Sequence, residues 1–220
     1  MLICPLVPSY AKVSEVHAVA DPIPTFQKIK FFTIISILGT VLYFAALHST
    51  RSASVIPATA LDNLIPFEPW FVAAYFSFFV FMPLTLVFVR DYQEFIPAAF
   101  GFFIIVVVSN TIFLVWPTVI PPGAPYHPLL HGLFAVDRDR NACPSLHASL
   151  ALYCALIMQR HASRKLIAAA LWVWAMLIIA SPLLIKRHML IDIVCCALFA
   201  TLVYFSLPGL RAGLIQRLRP

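Results

Sequence analysis

Residues 95–116 read FIPAAFGFFIIVVVSNTIFLVW, and no charged side chain interrupts them. As a helix this stretch covers about 33 Å at 1.5 Å per residue, enough for the ~30 Å hydrocarbon core of a bilayer. A lone strand of the same composition would leave its backbone groups without partners in lipid, so helix is the only economical conformation. Five further apolar runs lie at 31–47, 70–89, 145–158, 166–184 and 188–207. None alternates with the period of two that a barrel strand requires. The reading is an all-α polytopic membrane protein, a six-transmembrane-helix bundle.

Composition points the same way. Of the 220 residues 62% are hydrophobic and 11% charged, and the mean hydropathy is +0.93. Soluble domains are roughly half apolar and roughly a quarter charged, so the excess here has to face lipid. The net charge of +6 does not indicate nucleic acid, because the Lys and Arg residues are scattered through short connections and form no stripe. They carry topology instead. With the N-terminus cytosolic, ten of the 15 basic residues (Lys12, Lys28, Lys30, Arg90, Arg160, Arg164, Lys165, Arg211, Arg217, Arg219) fall inside. Arg51, Arg138, Arg140, Lys186 and Arg187 fall outside. Both termini are then cytosolic, and the loops 117–143 and 185–187 share the outer face.

The chain divides into a flexible cytosolic arm at 1–30, a membrane domain at 31–207 and a basic cytosolic tail at 208–220. The arm, with Pro5, Pro8, Pro22 and Pro24 among charges, lacks the order of a cleaved leader. That absence and the small size point to a bacterial inner (plasma) membrane. The five cysteines form no CxxC pair, so neither a disulfide framework nor a zinc site is expected. No cofactor and no metal is called for. His127 and His131 are four apart, but Pro125 and Pro128 argue against a helical, metal-binding loop.

Two groups of residues at outer helix ends can carry chemistry. In Cys143-Pro144-Ser145-Leu146-His147, proline suits a first helical turn, and the free N–H groups of a helix start attract anions. Ser145 adds a hydroxyl and His147 a proton donor. In Lys186-Arg187-His188-Met189-Leu190-Ile191-Asp192, His188 and Asp192 are four apart and share a helix face, so the carboxylate can fix the imidazole tautomer. An ionisable residue one turn inside an apolar run is a functional hypothesis by default. Two histidines, an orienting carboxylate, a helix start and several cations on one face make up the set needed for phosphoryl transfer through a covalent histidine.

These residues resemble the type-2 phosphatidic acid phosphatase superfamily, six-helix membrane enzymes that act on lipid phosphates. Its pattern is Lys-x6-Arg-Pro, then Pro-Ser-Gly-His, then Ser-Arg-x5-His-x3-Asp. Pro144-Ser145-Leu146-His147 is similar to the second part, and Ser181, His188 and Asp192 stand at the spacing of the third. Asp137-Arg138 with Asn141, and Lys186, are closer to the branch of inositol phosphorylceramide synthase-like proteins. The likeness covers roughly residues 60 to 200. It implies His188 as nucleophile, Asp192 as its orienting base, His147 as general acid and Ser145 as a phosphate contact. The chain departs from the pattern at Pro182, where arginine is expected. It departs again at Pro121-Pro122 in place of Arg-Pro, and at Leu114 in place of lysine. Lys186 is the first candidate to replace those clamps, followed by Arg187, Arg138 and Arg140.

The expected function is a metal-independent lipid phosphate phosphatase or phosphotransferase, with its lipid phosphate substrate arriving from the bilayer. Two alternatives stand beside it. One is a catalytically silent relative that binds anionic lipid, and the other is a small proton-coupled transporter using His147, His188 and Asp192.

Overall fold

The computed structural model describes residues 22–218 except 124, 126 and 137–139, and for residues 134, 136 and 208–218 it describes the backbone alone. Arg138 and most of the N-terminal arm lie outside the described residues. Eight helices follow in order: α1 (Thr25–Leu47), α2 (Ala60–Leu64), α3 (Val72–Phe88), α4 (Tyr92–Val115), α5 (His131–Val136), α6 (Leu146–His161), α7 (Lys165–Leu184) and α8 (Leu190–Leu218). Two short strands, β1 (Ser54–Val55) and β2 (Thr118–Val119), pair in parallel between the loops, Ser54 opposite Thr118.

Among the described residues, five helices are long and apolar enough to cross a membrane: α1, α3 with the 3-10 turn before it, α4, α7 and α8 to Leu207. The chain is therefore a polytopic all-α membrane protein. The outward faces of these helices are apolar. Ile37 and Val41 on α1, Phe79 and Val80 on α3, and Leu198 and Leu202 on α8 are all exposed. The remaining apolar run is α6, 16 residues long. It runs between the same two ends as its neighbours and sits at the centre, packed on α3, α4, α7 and α8. Residues Ala148–Ala151 and Tyr153–Met158 of α6 are buried. A helix enclosed by other helices needs no lipid-facing length of its own.

The first boundary differs from the sequence reading. The arm was expected to reach residue 30, but α1 begins at Thr25 behind Pro24. Lys28, which made this stretch look too polar, lies within α1 and donates its Nζ to the carbonyls of Leu86 and Val89. Its aliphatic stem follows the helix while its charge finds main-chain oxygens. At the other end, the backbone of α8 continues to Leu218 through the expected tail. The Pro-rich loop is also more regular than expected. Pro128–Leu130 form a 3-10 turn that leads into α5, because proline is tolerated where the first N–H groups of a helix have no internal partner.

One end of the bundle gathers β1, α2, β2, α5 and the 185–189 turn. The other end gathers the start of α1, the α3–α4 corner and the α6–α7 corner. There Ile23 N–H donates to Arg90 O, and His161 stands 3.4 Å from Glu94.

Candidate active site

The 185–189 turn is shaped by the end of α7. Lys186 N–H donates to Leu183 O at 3.2 Å and Arg187 N–H to Pro182 O at 2.7 Å, the paired bonds of a Schellman cap. The residue after such a cap takes a left-handed conformation, usually as glycine. Here it is Lys186, with φ 56°. Its side chain holds it there, since Nζ donates to Asp62 O at 3.1 Å and Ile65 O at 2.6 Å. Pro182 O also receives His188 N–H at 3.2 Å. Thus Pro182, standing where the phosphatase pattern has arginine, lends its carbonyl to the turn that presents His188.

His188 and Asp192 meet as expected, though not on one helix face. His188 precedes α8, and Asp192 lies in its first turn. His188 Nδ1 stands 3.3 Å from Asp192 Oδ2, and the same oxygen accepts Met189 N–H at 2.9 Å. One carboxylate therefore caps the helix start and orients the imidazole. Asp192 is 0% exposed and the His188 side chain 12%, so the carboxylate is sealed behind an imidazole that borders the cavity described below. Asp192 Oδ1 is buried without a hydrogen-bond partner among the described residues. Beside Asp192 and Cys195 lies Cys143. Burial first, then those two neighbours, pushes the Cys143 thiol well above the usual range, which makes it an inert thiol.

Sequence reasoning missed Asp62. Its Oδ1 accepts Leu190 N–H at 2.7 Å, and its Oδ2 accepts Thr59 N–H at 2.7 Å and Thr59 Oγ1 at 2.6 Å. With Thr59 it forms the capping box of α2. Burial works to raise its carboxyl. The bonds from Thr59 and Leu190 and the Lys186 charge outweigh burial and hold it below the usual carboxylate range. The Thr59-x-x-Asp62 spacing was a readable signal for a helix start. The Leu190 partner was not readable.

The other expected residues divide. Ser145 is 0% exposed and is the N-cap of α6, where its Oγ accepts Ala148 N–H. Pro144 therefore precedes the helix instead of occupying its first turn. His147 is stacked on Tyr75 with ring centroids 4.1 Å apart and tilted against Phe78 at 4.0 Å, and its Nε2 lies 2.8 Å from Tyr75 O. Those contacts fix the ring, with Nε2 directed at the Tyr75 carbonyl. Arg140 donates Nη2 to Arg51 O at 2.8 Å and bridges Val119, which anchors the loop before α6. Asn141, with φ 62°, donates weakly to Tyr43 O and keeps a buried Oδ1 without a partner among the described residues.

A cavity of about 500 Å³ brings most of these groups together. Arg140, Asn141, His147, Arg187 and His188 line one end, and mostly aromatic and aliphatic side chains of α1, α3, α4 and α6, with Ser36, Thr40 and Thr85 among them, line the rest. No carboxylate lines it among the described residues. Because α1 leans on α4 and touches α3 only lightly, the cavity lies along the seam between α1 and α3. Lys186 is not at this end. It faces a second, smaller pocket of about 170 Å³ that it shares with Asp62 and His188.

No cluster of three metal-binding side chains occurs among the described residues. His127 caps the 3-10 turn by accepting Leu129 N–H and lies near Trp70. Comparison with known proteins brings no relative: no family model, curated protein or solved structure matches the chain.

Proposed function

We propose that this chain is a membrane-embedded phosphatase or phosphotransferase for lipid phosphates, working through a phosphohistidine on His188. The observation that carries the proposal is the cavity: a largely apolar groove along the membrane-spanning helices, with His188, Arg187, Arg140 and His147 at one end. Such a shape suits an amphiphile with an anionic head. The His188–Asp192 pair gives that head something to react with.

In the proposed cycle the lone pair of His188 Nε2 forms the N–P bond as the ester P–O bond breaks. His147 gives a proton to the departing oxygen. Water or an acceptor alcohol then attacks phosphorus, His147 takes its proton, and the N–P bond breaks. Arg187 and Arg140 stabilise charge on the phosphoryl oxygens, the work that dominates phosphoryl transfer. Asp192 holds His188 in the reactive tautomer. The scheme needs no metal ion. We read α6 as the sixth crossing, shortened because protein surrounds it, with both termini cytosolic and the His188 end outside. The resemblance to the type-2 phosphatidic acid phosphatase superfamily belongs to the same proposal.

The test is phosphate release by purified protein from a panel of lipid phosphates in EDTA, beside His188→Ala. Release that persists in EDTA and disappears with His188→Ala is expected. Release undiminished in His188→Ala would overturn the mechanism.

A further inference from the structure

The cavity has a length as well as a chemical end. From α1 it takes Phe31, Phe32, Ile35, Gly39, Tyr43 and Phe44, a stripe repeated over successive turns. From 31 to 44 that stripe covers about 20 Å of helix, whereas one leaflet of the hydrocarbon core is about 15 Å deep. The far limit is set by Phe31, Val89 and Phe95, which belong to the end of the bundle opposite His188. The mostly apolar channel is therefore longer than one leaflet is deep.

Gly39 sits partway along it. A Cβ there would stand 3.2 Å from Val106 Cγ1 on α4. A larger side chain there is tight against Val106 and, because Gly39 lines the cavity, takes space from the channel.

We infer that the cavity measures its ligand's tail: the site takes a phosphate ester whose apolar chain is longer than one leaflet, and Gly39 keeps the channel open for the distal part of that chain. The choice of occupant follows from the arginines and histidines at one end, the mostly apolar course beyond them, broken by Ser36, Thr40 and Thr85, and a length greater than the depth of one leaflet. It rests on the lipid-phosphate reading above. Tail burial from a micelle or bilayer gains little by transfer alone, since the chain leaves one apolar medium for another. What distinguishes long from short chains is packing against fixed walls.

The test reads binding rather than turnover. The probes are alkylphosphonates of about eight to about twenty carbons, held at one mole fraction in detergent and scored by the unfolding midpoint of the full chain. Binding is expected to tighten by about tenfold or more across the series and then level off once the tail fills about 20 Å. In Gly39→Phe the long chains are expected to bind no tighter than the short ones. Thr40→Phe, at an exposed lining position where bulk displaces no core residue, should do the same if Gly39→Phe fails to fold. Equal binding of all lengths by the parent, or a length dependence unchanged in Gly39→Phe or Thr40→Phe, overturns the inference. Failure of the parent to release phosphate counts against His188 chemistry alone, because binding is scored separately.

Discussion

The carboxylate of Asp62 accepts the N–H of Leu190 at 2.7 Å across 128 residues of sequence. That bond joins α2 to the start of α8, and Lys186 closes the same junction from the other side by reaching Asp62 O. The turn that carries His188 is thus held by a residue outside both chemical motifs. Asp62→Ala should cost about 1–3 kcal/mol of stability, because it leaves buried N–H groups without an acceptor. Activity should fall further than the lost stability explains, since His188 loses its placement. Unfolding midpoints and phosphate release on the same preparations check both.

The same carboxylate gives a pH dependence. Its folded pKa lies below the ordinary aspartate value. Its contribution to stability is then complete above the unfolded pKa and is lost as pH falls through the depressed folded one. The unfolding midpoint should drop as the pH falls below the ordinary aspartate range, and Asp62→Asn should flatten that part of the curve. An identical acid limb in parent and variant would remove Asp62 from the account.

Asp192→Asn separates the two duties of Asp192. An asparagine can still accept Met189 N–H through its oxygen, so the helix start survives. That oxygen, standing in for Oδ2, also faces His188 Nδ1, so the tautomer is kept while the negative charge that raises the basicity of Nε2 is lost. Turnover should fall by about 10–100-fold with little change in unfolding midpoint. A midpoint that collapses together with activity would mean the carboxylate matters only as a cap.

How much of this was legible depends on how far apart the interacting residues are. The apolar runs were readable because lipid dictates composition wherever a helix meets it. The His188–Asp192 pair was readable because four residues bring the two groups together, although the helix starts between them. The start of α1 was obscured by Lys28, whose charge is satisfied by carbonyls on α3 and its C-terminal edge, far away in sequence. Lys186 looked like a phosphate clamp because its cation stands two residues from His188. Its actual partners, Asp62 O and Ile65 O, lie more than 120 residues earlier, and no local pattern announces them. The six-residue spacing between Pro182 and His188 was visible, but its use as a carbonyl-anchored turn depends on Lys186 adopting positive φ.

Lys186 can be tested by two substitutions with opposite local effects. Lys186→Met keeps a side chain in the left-handed conformation and removes both Nζ bonds, and should destabilise by about 1–3 kcal/mol. Lys186→Gly also removes the bonds but relieves the backbone by roughly 1 kcal/mol, so it should be the milder change. Both should affect stability more than KM. A large rise in KM with stability intact would return Lys186 to the role of phosphate clamp.

Ser145 sets two roles against each other directly. The resemblance assigns it to the phosphate, whereas its Oγ accepts Ala148 N–H at the start of α6 and its side chain is wholly buried. Ser145 is absent from the cavity wall that carries Arg187 and His188. If capping is its main duty, Ser145→Ala loses about 1 kcal/mol of stability, and Ser145→Asp, which also caps well, recovers most of it. Phosphate release should change by only a few fold in Ser145→Ala, because His147 remains pinned by Tyr75 and Phe78. A phosphate contact predicts the reverse: a large loss of kcat/KM in Ser145→Ala at nearly unchanged stability, and a deeper loss in Ser145→Asp as its charge repels the substrate. The ratio of activities between the two variants, measured beside their unfolding midpoints, decides which duty the serine performs.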